Sequence, residues 1–241
     1  GVPGSIEVIV RRNDAQLDEF AITRDGSLAA LVWNVAGRSE LALIDLTNEQ
    51  IVAAPKLPAE VIYSPTFSKD GARLAFVATG AASPRDIWVY DVNSGAMRQI
   101  THSQHPGIDL DQLVQPELVQ FPAHDGLNLT AWLYRPRDVQ APGAVVLSFH
   151  GGPEGQERPL FNGDYQALLA QGIAVLAPNV RGSGGFGKTF VNLDNGALRV
   201  NAVRDIQACA DYVVRAGIAT PGQIGIMGGS YGGYMTMAGL V

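Results

Sequence analysis

Two β-patterned repeats 45 residues apart, a later alternation of strand and helix patterns, and a Gly-x-Ser-x-Gly turn set between a strand and a helix predict the fold class. It is the first half of an α/β-hydrolase sheet, through the nucleophile elbow, preceded by part of an all-β propeller. The boundary is placed at 112/113, with about two blades over residues 1–112 and the hydrolase part over residues 113–241.

The repeats come first along the chain. Thr23-Arg24-Asp25-Gly26 followed by the apolar run 28–32 recurs as Ser68-Lys69-Asp70-Gly71 followed by the run 74–77. Each is continued by a second alternating run ending in Asp, 41–45 and 87–91, then by a polar turn and another short strand. Asp-Gly supplies a tight hairpin turn, and period-two alternation lays one face of each strand on a neighbour. Each repeat therefore reads as one antiparallel blade. A closed propeller takes about 4 to 8 blades, so two blades predict a propeller truncated at its front.

From Pro116 the texture changes. Residues 118–121 and 127–134 read as strands around the turn His124-Asp125-Gly126, and strand and helix patterns then alternate, which predicts a parallel α/β sheet. Residues 144–149 form a buried strand. Residues 164–171 form a short helix stopped by Gly172, and 173–179 the next strand. Val200, Val203, Ile206, Val213 and Val214 follow helical spacing up to Gly217, and residues 223–227 make another strand.

Directly behind that strand stands Gly228-Gly229-Ser230-Tyr231-Gly232, with a helix pattern over 234–240 after it. Strand, turn and helix are the setting of a nucleophile elbow. Gly228 and Gly232 are small because a side chain there would clash across the turn, and the turn lifts the Ser230 hydroxyl clear of the sheet. The amide of Tyr231 falls at a helix N-terminus, where N–H groups lack intrahelical acceptors and the dipole favours negative charge, so it is the first candidate oxyanion donor. The second is expected in the loop after the earlier strand, His150-Gly151-Gly152-Pro153, whose paired glycines let backbone approach a substrate. His150 and Gly151 are expected to support that loop. In this fold the chain order is nucleophile, acid, histidine, and no His follows Ser230. The triad Asp and His are expected beyond residue 241, and the segment alone is expected to be nearly inert, since losing the base costs on the order of 10⁶ in turnover.

Composition removes other function classes. The formal charge is -6, 17% of residues are charged and the basic ones are scattered, so no nucleic-acid partner is expected. No apolar run reaches bilayer length. Cys209 is the only cysteine, and His102 with His105 is too thin for a metal site, so neither metal nor cofactor is expected. The chain opens on Gly1 without a charged and apolar leader, which predicts a removed targeting segment or a start farther upstream and leaves the compartment open.

Gly182-Ser183-Gly184-Gly185-Phe186-Gly187-Lys188-Thr189 fits the phosphate-loop pattern. The residues after it, Asn192-Leu193-Asp194-Asn195-Gly196, are poor helix formers, and no strand ending in a magnesium-binding Asp follows, so nucleotide binding is set aside.

His150-Gly151-Gly152-Pro153, Asn179-Val180-Arg181-Gly182-Ser183 with Gly185-Phe186-Gly187, and Gly228-Gly229-Ser230-Tyr231-Gly232-Gly233-Tyr234 together resemble the prolyl oligopeptidase family of serine peptidases, family S9, in its acylaminoacyl peptidase and dipeptidyl peptidase-like branches. The resemblance implies a propeller that limits access to a buried site, and short peptides as substrates. It further implies that Ser230 attacks the scissile carbonyl while the amides of Gly152 and Tyr231 hold the oxyanion. Val180 stands where the family usually has an aromatic, and Arg181 is implied to be a structural anchor. Two other functions fit the same residues: a carboxylesterase of the same fold, because ester and amide cleavage share acyl-enzyme chemistry, and a non-catalytic propeller-hydrolase binding protein. Alone, residues 1–241 would expose a half-built sheet edge and are expected to aggregate.

Overall fold

The computed structural model describes residues 7–240. These pack as two units, one of residues up to 79 with 85–104, the other of residues 80–84 with 105 onward.

The first unit holds two four-stranded antiparallel sheets, each a simple meander. One is β1 (Gln16–Ile22), β2 (Leu28–Val35), β3 (Arg38–Asp45) and β4 (Gln50–Ala53); the other is β5 (Val61–Phe67), β6 (Arg73–Gly80), β7 (Ser83–Asp91) and β8 (Met97–Gln99). The repeated Asp-Gly turns are built alike. Thr23 N donates to Leu28 O and Gly26 N to Thr23 O, both at 2.9 Å; Ser68 N donates to Arg73 O at 2.8 Å and Gly71 N to Ser68 O at 2.9 Å. In each turn the preceding hydroxyl also donates to the aspartate, Thr23 Oγ1 to Asp25 at 2.7 Å and Ser68 Oγ to Asp70 at 2.5 Å. Alternation then puts Ala30, Val32, Leu41 and Leu43 of one sheet with Ile62, Leu74 and Phe76 of the other into one buried core.

The second unit is built on a five-stranded sheet of β9 (Glu117–Pro122), β10 (Asn128–Tyr134), β11 (Val145–Phe149), β12 (Ala174–Asn179) and β13 (Ile224–Gly228), in the order β13-β11-β12-β10-β9. β11 runs parallel to β12 and β13, whereas β10 runs antiparallel to both β12 and β9. The sheet is therefore mixed rather than parallel throughout. The five-residue connection between β9 and β10 is too short for a crossover, so those strands can only pair as a hairpin.

Helices cover both faces. α1 (Gly163–Ala170) is capped by the Asn162 side chain and packs Tyr165 and Leu169 on Trp132, Tyr134, Val175 and Ala177. α3 (Arg199–Arg215) and α4 (Tyr231–Ala238) pack Ala202, Cys209, Val213 and Met235 on the other face, against Leu129, Leu133, Leu147 and Leu176. Both faces of β12 are thus buried, which is why it reads as a continuous apolar run. Between β12 and α3 lies α2 (Lys188–Val191), a single turn.

Candidate active site

β13 runs into α4 through Ser230, which sits at φ 55 and ψ −119 as the residue capping the helix. An L-residue at positive φ is strained and must be held there by its surroundings. The surroundings are crowded: a Cβ added at Gly228 would lie 2.5 Å from Gly232 O and 2.7 Å from Phe149 O, and one at Gly232 would overlap Phe149 O. Both glycines are therefore required where the end of β11 meets the first turn of α4. Ser230 is exposed, and its carbonyl accepts from Tyr234 N at 3.1 Å to begin the helix. Tyr231, as the first helical residue, has no intrahelical acceptor for its N–H.

The loop after β11 passes alongside. A Cβ on Gly151 would touch both Ser230 Cβ and Gly229 O at 3.6 Å. Gly152 bends the loop at φ 136, a region only glycine occupies readily, and a Cβ there would fall 2.7 Å from Glu154 N. His150 faces the loop: Nδ1 lies 2.7 Å from Gly151 O and Nε2 2.8 Å from Ser183 Oγ. Because a carbonyl only accepts, Nδ1 carries the proton in the first contact. Burial lowers the His150 pKa, which favours the neutral ring.

The loop is laced to the segment after β12. Gly184 N donates to Gly155 O at 2.8 Å, Glu157 N to Asn179 Oδ1 at 2.7 Å, and Asn179 Nδ2 and Trp132 Nε1 each to Glu157 O at 3.1 Å. Those bonds also bear on the phosphate-loop pattern. The amides of Gly182, Ser183 and Gly184 donate to Phe190, Val180 and Gly155 carbonyls at 3.2, 3.1 and 2.8 Å, so these three N–H groups are engaged within the fold rather than turned toward a phosphate.

Arg181 fixes the same segment from beneath. Its side chain is 3% exposed and grips two carboxylates: NH1 and NH2 donate to Asp125 at 2.8 and 2.9 Å, while Nε and NH2 donate to Asp205 at 2.9 and 2.8 Å. The Arg181 N–H adds a bond to Asp205 at 3.1 Å. One guanidinium thereby joins the β9–β10 turn, the exit of β12 and α3, and it holds the Asp125 carboxyl far below the usual range.

Sequence reasoning singled out Ser230, Tyr231, Gly228, Gly232, Gly151, Gly152 and His150, and the structure collects them at the ends of β11 and β13. It passed over Glu157 and, for this purpose, Asp194, and met Asn179 only as the first residue of the motif 179–183. Among the described residues no side chain hydrogen-bonds the Ser230 hydroxyl, and no cluster of three or more His, Cys, Asp or Glu is placed to hold a metal ion. No helix among them is long and apolar enough to cross a membrane.

Glu157 carries a pH dependence. The Tyr165 hydroxyl donates to Ser148 Oγ at 2.8 Å and lies 3.3 Å from Glu157 Oε1. The phenol can donate to either oxygen, and donation to Glu157 favours the carboxylate form. Burial pushes the Glu157 carboxyl up to about 7, against the weaker opposing pull of Tyr165. A folded-state pKa above the unfolded one gives stability that is fully present below about pH 4.5 and lost as pH rises through about 7. Glu157→Gln keeps a neutral donor at every pH. The variant is expected to gain up to about 3 kcal/mol on the parent protein between pH 5 and pH 8, read from urea unfolding; an equal difference at both pH values would refute the assignment.

The sequence model of the Prolyl oligopeptidase family matches residues 159–241. Dipeptidyl aminopeptidase BIII of Pseudoxanthomonas mexicana is 35% identical over 170 residues, 67% of this chain and 24% of that protein. The acylamino-acid-releasing enzyme of Sus scrofa is 28% identical over 228 residues, 91% of this chain and 28% of that protein. The chain thus spans about a quarter of the length of these curated relatives. A crystal structure of puromycin hydrolase superposes with a TM-score of 0.87 at 25% identity, covering 100% of this chain and 38% of that one. The two meanders are part of the propeller and the mixed sheet is the first half of the α/β-hydrolase domain of such enzymes. With the strained serine and the glycine loop at its side, these matches identify the chain as a sequence of the prolyl oligopeptidase family of peptidases.

Proposed function

We propose that the full-length protein is a serine peptidase acting on short peptides, with Ser230 as nucleophile and the amides of Tyr231 and Gly152 as oxyanion donors. The observation that carries the reading is the exposed, positive-φ Ser230 at the start of α4, with Gly151 packed beside it. In the first half of the reaction a base takes the Ser230 proton, Oγ adds to the scissile carbonyl, and the amine leaves with that proton. Water then hydrolyses the acyl-enzyme by the same route. Both ring nitrogens of His150 are engaged with the loops, so the base and its acid are assigned to parts of the parent protein that this chain does not span. We place the domain boundary at 112/113, and assign the blade segment to limiting access, as the family resemblance implies. The relatives' names, dipeptidyl aminopeptidase and acylamino-acid-releasing enzyme, favour amide substrates read from a peptide end.

The test compares peptidyl p-nitroanilides with p-nitrophenyl esters as substrates of the full-length protein. Hydrolysis of a peptidyl anilide, lost in Ser230→Ala, is expected. Turnover confined to esters would make the protein a carboxylesterase, and no turnover of either by folded protein would favour a binding role.

A further inference from the structure

We infer that Asp194, paired with Arg199, is a positioning residue that fixes Tyr231, and through it the amide that follows the nucleophile. The inference rests on the proposal that Ser230 is the nucleophile and Tyr231 N–H an oxyanion donor. Tyr231 is 8% exposed, and its hydroxyl donates to Asp194 Oδ2 at 3.1 Å. Arg199 Nε lies 3.1 Å from that same oxygen, and its guanidinium stands 4.9 Å from the centre of the Tyr231 ring. The phenol is thus held at its tip by a carboxylate and on its face by a cation, which leaves the ring one place to sit.

Asp194 is itself fully buried, with 0% exposure. It is closed in by the loop after β12, where a Cβ on Gly182 would come within 2.5 Å of Asp194 Oδ1. That Oδ1 has no hydrogen-bond partner among the described residues. Burying a carboxylate oxygen without a partner is costly, and such costs concentrate where geometry serves a site. Here the carboxylate joins the glycine loop, the start of α3 and the first residue of α4. Because Tyr231 follows a residue of strained backbone directly, a ring free to tilt would turn its own N–H away from the position of the developing oxyanion. Small errors in such placement have large effects on rate. Burial and the neighbouring Asp194 also push the Tyr231 pKa up, so the phenol stays a donor at working pH.

The experiment uses saturation kinetics of a fluorophosphonate probe on the full-length protein, which separates binding of the probe from the rate of attack on phosphorus. Tyr231→Phe is expected to lower the maximal inactivation rate about tenfold with the half-saturating concentration unchanged within about twofold. Asp194→Ala should do the same or more, and Asp194→Asn, which keeps an acceptor for the phenol, should recover part of the rate. Combining Tyr231→Phe with Asp194→Asn should cost no more than the worse single change, because both act on one contact. Equal rates in wild type and Tyr231→Phe, or a change confined to half-saturation, would overturn the inference. If Asp194→Ala does not fold, Tyr231→Phe, which removes one oxygen, decides alone. Should wild type not be labelled at Ser230, the underlying proposal fails; labelling of wild type and Tyr231→Phe at the same rate sinks only the role of Asp194.

Discussion

Ser230→Ala in the full-length protein is expected to lower turnover by about 10⁵- to 10⁶-fold while leaving its unfolding transition within about 0.5 kcal/mol of wild type. The two halves of that expectation have separate physical grounds. Ser230 is exposed, and among the described residues nothing bonds its hydroxyl, so deleting the oxygen removes at most the one hydrogen bond to the proposed base, about 0.5 kcal/mol net. Alanine keeps the Cβ and hence the same backbone strain at φ 55. The chemistry, by contrast, loses the atom that forms the acyl-enzyme. Residual activity within about a hundredfold of wild type, from pure protein, would mean that another group performs the attack.

The second large effect concerns stability. Arg181→Leu is expected to cost about 3 to 5 kcal/mol, because it strands the carboxylate of Asp205 in the interior without its cation. Asp205 is 0% exposed, so water cannot replace the guanidinium, whereas Asp125 at 44% exposure can be rehydrated. Arg181→Lys is expected to fall well short of wild type as well, since a single ammonium cannot reproduce a fork that serves two carboxylates. Adding Asp205→Leu to Arg181→Leu should return part of the loss by removing the stranded charge. Urea titrations that resolve the hydrolase transition check this; an Arg181→Leu midpoint equal to wild type would show that the pair contributes nothing.

Local pattern made some elements legible and hid others. The Asp-Gly turns announce themselves because residues two and three apart satisfy one another, and β2, β3, β6 and β7 follow from strict alternation. The strands entering those turns, β1 and β5, are harder to read. Each carries an irregularity, between Leu17 and Glu19 and between Tyr63 and Thr66, where the register shifts and the period-two pattern breaks. Ser64 even takes φ 56 in the second of these. α4 begins at Tyr231, three residues before the helical pattern shows itself, because Gly232 and Gly233 have poor helix propensity and are held by packing.

The site divides in the same way. The elbow is a contiguous stretch whose glycines are needed by sterics alone, and the loop at 150–153 is a short contiguous motif. What holds them is scattered. Glu157 meets Asn179, Arg181 meets Asp205, and Asp194 meets Tyr231 across 22, 24 and 37 residues. No periodicity encodes such pairs; they exist only once β12 lies between β10 and β11 and its exit loop runs under the elbow. Asp194 illustrates the point. In the sequence it is one more aspartate ahead of the serine, in the wrong order to be a triad acid, and only the fold brings it against the residue after Ser230.

The central claim is that Ser230 is an activated nucleophile. Its most direct measurement is mass-spectrometric mapping of a fluorophosphonate adduct on the full-length protein. A single adduct on Ser230, absent from Ser230→Ala and from heat-unfolded protein, is the predicted result. An adduct elsewhere, or none on folded protein, would contradict the account.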